Sequence, residues 1–244
     1  MSRFPPVHLV IVDLDNTLYD WVGYFAPSFE AMVEVAAEII GVTRDTLLDD
    51  IQKVHQHYGN TEHPFALLET EAVQSKFGPV RSRGELKADL QPAFDAFDTE
   101  RAMRLRLYPT VAATLRSIRS RGTTVVGHTE AKTVSASNRA KILGLDALLD
   151  GIFAPAFTGL AYPGDPSGVS SGASDFLFEL DQDSVKPNPA TATKIASRFG
   201  VRPAETLYVG DTLSKDVAMA NAAGMMSAWA RQSMRKGCGT QSFE

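Results

Sequence analysis

The sequence predicts an α/β fold: a parallel sheet core with a separate all-helical block inserted near its start. Three observations lead there. Short apolar runs rich in β-branched residues alternate with helical periodicity over residues 106–244. From residue 18 to 105 the periodicity is helical throughout, with no alternating β-branched run. The first apolar run, Val7 to Val12, ends abruptly in Asp13-Leu14-Asp15. Ligands of parallel α/β sheets bind just beyond the carboxyl ends of the strands. The pattern assigns residues 1–17 and 106–244 to the sheet domain and 18–105 to the helical one.

Each element has its own signal. Val7 to Val12 is short and apolar without alternation, as a strand buried on both faces requires. Pro27-Ser28 starts a helix in which Phe29, Met32, Val33, Ala36 and Ile40 share one face and which Gly41 stops. Thr43 caps a second, with Leu47, Leu48, Ile51, Val54 and Tyr58 on one face and Gly59 at its end. Phe65, Leu68 and Ala72 predict a third after Pro64. Leu86, Leu90, Phe94 and Phe97 predict a fourth, which Pro92 must start or kink. Pro109 then opens a helix carrying Val111, Leu115 and Ile118 to Gly122, and Thr123–His128 is a strand. A helix over 132–143, a strand at Gly151–Ala154, a helix over 189–199, a strand at Thr206–Val209 and a helix over 214–223 follow. Met226–Trp229 reads as a closing strand, and Phe176–Leu180 as a short additional one. Residues 158–175, rich in Gly, Pro and Ser, read as a long surface loop: a mobile insertion, a flap over the site or a contact with a partner. The polar tail from Arg231 to Glu244 reads as frayed.

Bulk properties narrow the class. A net charge of −5 argues against a nucleic-acid polymer as partner. The single cysteine, Cys238, excludes an intrachain disulfide and suits a reducing compartment. The first apolar run is cut by Asp13, too short for a signal or a membrane span. These features predict a cytoplasmic protein away from membranes, a monomer or homodimer.

The strand ends collect the chemistry. Asp13 and Asp15 follow the first strand and Thr129 the second; Lys186 precedes the helix at 189, and Asp211 and Asp216 follow the strand at 206. In a parallel sheet these positions open on one edge. Carboxylates so close repel one another unless a cation or a shared proton intervenes. A carboxylate is a nucleophile already ionised at neutral pH. A hard dication, Mg2+ above all, takes carboxylate oxygens and bridges a phosphate. A lysine and a hydroxyl can hold phosphoryl oxygens, and a second carboxylate can protonate a leaving oxygen. The set suits phosphoryl transfer. Each residue also has a plainer role open to it: Asp211 in a turn, Asp216 at a helix N-terminus, Thr129 as a cap, Lys186 as a solvated surface side chain.

Asp13-x-Asp15-x-Thr17, Thr129 after a strand, Lys186-Pro187, and Gly210-Asp211 with Asp216 resemble, in order, the four motifs of the haloacid dehalogenase superfamily. The resemblance spans nearly the whole chain, and the helical block resembles the family's cap inserted after the first motif. It implies a Rossmann-like α/β core and a phosphatase acting on a small phosphorylated metabolite, phosphoglycolate- or nucleoside-monophosphate-like, through an aspartyl-phosphate. By the same resemblance Asp13 is nucleophile and metal ligand. Asp15 is general acid and then base, its backbone carbonyl on the metal. Thr129 and Lys186 hold the phosphoryl group, and Asp211 and Asp216 hold Mg2+. Thr17 braces the loop. Dehalogenating and phosphonate-cleaving members lack the second aspartate, so Asp15 favours phosphate esters. A phosphosugar mutase is the alternative enzyme, and a catalytically silent binding or regulatory protein the alternative of another class. Glu130 departs from the family, where asparagine is frequent, and brings a negative charge beside the phosphate position. Tyr24, His57, Tyr58 and Asn60 are the cap's candidates for the substrate's other half. His55 reads as a buried, satisfied histidine, and His128 as structural.

Overall fold

The structure, a computed structural model, describes residues 5–63, 65–78, 80–157 and 175–231. Most of the loop expected at 158–175, and the tail beyond Arg231, lie outside the described residues.

Six strands form one parallel sheet: β1 (Leu9–Val12), β2 (Thr124–His128), β3 (Gly151–Pro155), β4 (Leu177–Leu180), β5 (Thr206–Gly210) and β6 (Met226–Trp229). Their spatial order is β4-β3-β2-β1-β5-β6. The chain starts at the centre, steps outward through β2, β3 and β4, then returns to the other side of β1 for β5 and β6. The order therefore reverses beside β1, the place where open α/β sheets bind their ligands. β1 pairs with both β2 and β5, Val10 facing Val125 on one side and Leu207 on the other. All four of its residues are buried, which is why its sequence is apolar without alternation. Phe176-Leu177-Phe178-Glu179-Leu180 supplies the edge strand β4.

Nine helices accompany the strands among the described residues: α1 (Trp21–Ile40), α2 (Arg44–Tyr58), α3 (Glu71–Phe77), α4 (Arg83–Asp89), α5 (Gln91–Arg104), α6 (Val111–Arg119), α7 (Thr133–Leu143), α8 (Pro189–Arg198) and α9 (Ala218–Ala222). None is long and apolar enough to cross a membrane. Contacts divide the described chain into two compact units. One holds the sheet, with residues 5–21, 106–157 and 175–231; the other holds the described part of 22–105. Each has its own core. Leu47, Ile51, Leu67, Leu68, Leu86 and Leu90 anchor the helical unit. Leu9, Ile11, Val126, Phe153, Ile195 and Tyr208 pack together in the sheet unit.

Several helix ends differ from the sequence reading. α1 begins six residues before Pro27, which lies inside it. Asn16 Oδ1 receives the Trp21 N–H at 3.1 Å, an N-terminal anchor outside the periodic stretch. The predicted third helix is instead a 3-10 turn, Ala66–Glu69, followed by α3. Thr70 separates them in an extended conformation, its hydroxyl capping the Val73 N–H. The predicted fourth helix is likewise two, α4 and α5, divided at Leu90, with Pro92 in the first turn of α5. The predicted helix over 214–223 is a π-helical turn, Leu213–Val217, running into α9.

Candidate active site

The site is built at the carboxyl edge of β1 and β5. The Asp13 N–H continues the ladder to the Val209 carbonyl at 2.8 Å, which places the Asp13 side chain just past the strand. Both carboxylate oxygens are engaged: Thr17 Oγ1 donates to Oδ2 at 2.8 Å and Lys186 Nζ donates to Oδ1. The same ammonium donates to Asp216 Oδ1 at 3.0 Å. Asp13, Lys186 and Asp216 are all buried, so Lys186 is no solvated surface lysine and Asp216 no exposed helix charge. Asp216 sits in the π-helical turn, and its Oδ2 receives the Thr212 N–H at 3.1 Å. Gly210 is there because of it. A Cβ at Gly210 would lie 2.3 Å from the Asp216 carboxyl carbon, so any side chain would evict the carboxylate.

Burial is the largest influence on Asp13 and pushes its carboxyl up to about 7. Asp216 and Asp15 add to the rise, and Lys186 opposes it. Burial works against the Lys186 charge as well, yet Asp13 and Asp216 outweigh it and hold the ammonium well above the usual lysine range. Asp211 is half-buried and also raised, chiefly by burial. The ligand oxygens of Asp13, Asp211 and Asp216 lie within 4.8 Å of one another. This all-oxygen, anionic set fits a hard divalent ion. The ammonium wedged between two of the carboxylates marks where positive charge is wanted.

Asp15 faces different partners. Asn16 takes φ 59 and turns the chain back on itself after β1. Tyr19 OH then donates to Asp15 Oδ1 at 2.7 Å, and Thr129 Oγ1 to Oδ2 at 3.1 Å. Buried Arg139, from α7, brings Nη2 to 3.5 Å of the same Oδ2. Thr129 Oγ1 also accepts the Ala131 N–H at 3.0 Å; α7 starts further on, at Thr133, so Thr129 is not its cap. Glu130 is paired, with Lys215 Nζ 2.6 Å from its Oε2. The negative charge that Glu130 brings beside Thr129 is thus offset. His128 is structural: it bonds Tyr208 OH at 2.9 Å through Nδ1, and burial, then Lys186, holds its pKa well below the usual range.

The remaining candidates lie in the helical unit. Tyr24 is buried in α1. His57 meets the ring of Tyr58 edge-on. Tyr58 stacks on His63 with ring centres 3.7 Å apart, and its hydroxyl donates to Glu69 Oε2 at 2.8 Å. Asn60 Oδ1 accepts the Glu62 N–H at 2.9 Å. His55 is half-buried against Phe29, and burial lowers its pKa. It lines a groove with Phe25, Phe29, Leu48 and Ile51.

Sequence reasoning missed Arg139, Tyr19, Lys215 and Trp229. Trp229 Nε1 donates to the Asp211 carbonyl at 2.8 Å. Of these, Arg139 alone left a trace, as an arginine in a helix of small residues whose other face packs on a sheet. The others depend on which loops the fold brings together.

The haloacid dehalogenase-like hydrolase family model matches residues 7–224. A glyceraldehyde 3-phosphate phosphatase from Methanopyrus kandleri is 27% identical over 237 residues, covering 93% of this chain and 84% of that protein. Among solved structures, a 2-haloacid dehalogenase from Pseudomonas syringae pv. Tomato superposes with TM-score 0.58 at 21% identity, over 91% of this chain and 86% of the other. A HAD phosphatase from Thermococcus onnurineus superposes with TM-score 0.55 at 18% identity, over 97% and 90%. With the family model covering both the sheet and the helical unit, the chain belongs to the haloacid dehalogenase-like hydrolases.

Proposed function

We propose that this hydrolase is a Mg2+-dependent phosphatase of small phosphorylated metabolites, working through an aspartyl-phosphate on Asp13. The observation that carries the reading is the division of labour between two carboxylates two residues apart. Asp13 is buried against Lys186 and beside Asp211 and Asp216. Asp15 is turned to Tyr19 and Thr129, with a hydroxyl on each oxygen. Asp13, Asp211 and Asp216, with the Asp15 backbone carbonyl, would hold the metal. When bound, Mg2+ supplies positive charge to the phosphoryl oxygens and keeps Asp13 ionised.

In the first step an Asp13 carboxylate oxygen attacks phosphorus and the ester oxygen leaves with a proton from Asp15. In the second, Asp15 takes a proton from water, whose oxygen attacks the aspartyl-phosphate; phosphate departs and Asp13 is regenerated. Lys186 and Thr129 hold the phosphoryl oxygens through charge-assisted hydrogen bonds. Thr129 would exchange Asp15 for substrate to do so. The helical unit is assigned the role of a cap that excludes water during chemistry. Tyr24, His57, Tyr58 and Asn60 are its candidates for the substrate's non-phosphate half.

The test is phosphate release from p-nitrophenyl phosphate with Mg2+, then from phosphoglycolate, nucleoside monophosphates and glyceraldehyde 3-phosphate, the last taken from the M. kandleri relative's name. The expected result is turnover with Mg2+ that Asp13→Asn abolishes. Turnover no greater than that of folded Asp13→Asn would sink the enzyme reading in favour of a binding module. Isomer formation with little free phosphate, on sugar phosphates, would make the protein a mutase.

A further inference from the structure

The end of β6 grips the turn that follows β5 at two successive peptides. The Ala230 N–H donates to the Gly210 carbonyl at 2.8 Å. The Trp229 indole N–H donates to the Asp211 carbonyl, also at 2.8 Å. Asp211 is the one member of the acidic cluster that is not fully buried. Its carboxylate accepts from Thr212, the next residue, at 3.0 Å, a contact too local to fix it against the sheet. The indole bond reaches across eighteen residues of sequence. It ties the Asp211 peptide to a strand whose register with β5 runs up to Gly210 opposite Trp229. The Arg231 guanidinium lies over the same indole, 5.0 Å from its centre, within cation–π range.

We propose that Trp229 is the positioning residue for the Asp211 metal ligand, and that its ring senses whether the site is filled. This inference rests on the metal-dependent reading above. A hydrogen bond to the peptide sets where the carboxylate can point, and residues that orient metal ligands typically alter affinity by about 10–100-fold when replaced. Trp229 acts through Asp211 and needs no contact with substrate.

Two variants test it. The chain has two tryptophans, Trp21 and Trp229, so in Trp21→Phe all indole emission comes from Trp229. Titrating that variant with Mg2+ should change its emission saturably, over the concentration range where calorimetry records binding heat. Trp229→Phe keeps the apolar ring and loses the N–H donor. Calorimetry should show it binding Mg2+ about tenfold more weakly than the unaltered protein. Binding heat with silent Trp229 emission, or unchanged Mg2+ affinity in folded Trp229→Phe, overturns the proposal. If circular dichroism shows Trp229→Phe unfolded, the Trp21→Phe titration decides alone, since it leaves Trp229 in place. No heat from the unaltered protein overturns the metal reading and this proposal with it.

Discussion

At the scale of single residues, Asp13 and Asp15 look equivalent in sequence and are not equivalent in space. Asp13 is clasped by an ammonium and a threonine hydroxyl; Asp15 is held by Tyr19, Thr129 and Arg139. If Asp15 serves both steps, its loss should separate them by leaving group. Nitrophenolate leaves without help, whereas an alkoxide does not. Asp15→Asn should therefore release about one equivalent of nitrophenol in a fast burst and then stall, because water lacks its base. With alkyl phosphates it should lose about 10²–10⁴-fold in rate, with no burst. Stopped-flow absorbance distinguishes the two, and a burst-free loss on nitrophenyl phosphate would count against the assignment. Thr17, expected to brace the loop rather than touch substrate, does so through a bond to the proposed nucleophile. The motif residues were legible because each carries a distinctive functional group and stands at or shortly after a strand end or, for Lys186, just before a helix. Tyr19 was not, because its partner is set by a chain reversal at Asn16 that leaves no spacing; Arg139 left only the trace of an arginine among small residues, with nothing in the sequence to say that it meets Asp15.

At the scale of elements, the helical unit was legible in its helices; the break at Thr70 was not, while the one at Leu90 was signalled by Pro92, which starts α5. Apolar spacing runs smoothly through Thr70 and Leu90, so the eye joins what the chain divides. At Thr70 a local competitor wins, its hydroxyl offering Val73 a cap; at Leu90 no side chain caps the new helix, and the break falls just before Pro92, which stands in the first turn of α5 and has no N–H to continue the α4 ladder. Glu69, at the end of the 3-10 turn, receives Tyr58, His63 and Arg83. Burial raises its pKa, but these partners outweigh burial and leave it below the usual value of 4.5. A depressed carboxylate pKa contributes stability that is full above the unfolded value and fades as pH falls through the folded one. The melting-temperature gap between the unaltered protein and Glu69→Gln should therefore be constant near neutrality and shrink once pH drops below about 4.5. A gap that stays constant into acid would show that Glu69 acts by shape rather than charge. The Lys215–Glu130 pair ties the turns after β5 and β2. Glu130 alone reads as a repulsive charge; the sequence offers no way to see that Lys215 answers it.

At the scale of the whole molecule, the chemistry and the second hydrophobic core belong to different units. All the proposed metal-binding and phosphate-binding side chains come from the sheet unit, whose order reverses beside β1. Leu47→Ala, in the fully buried core of the helical unit, should cost about 2–5 kcal/mol of stability and leave Mg2+ affinity unchanged by calorimetry. A loss of affinity matching the loss of stability would show the two cores to be coupled. The parallel sheet was legible from alternating elements, the short strand β4 included; the strand order was not, because pairing between distant segments leaves no mark in local periodicity. The helical unit also leaves and rejoins the sheet unit at one spot. Tyr19 bridges Leu107, and the Tyr108 N–H bonds the Leu18 carbonyl at 2.8 Å. Entry and exit are thus stapled side by side by backbone contacts within the sheet unit. An insert of another length, or another make-up, would meet the same closed doorway and pay little extra loop entropy. On the proposed reading, substrate preference can change by exchange of that insert while Asp13 and Asp15 stay where they are.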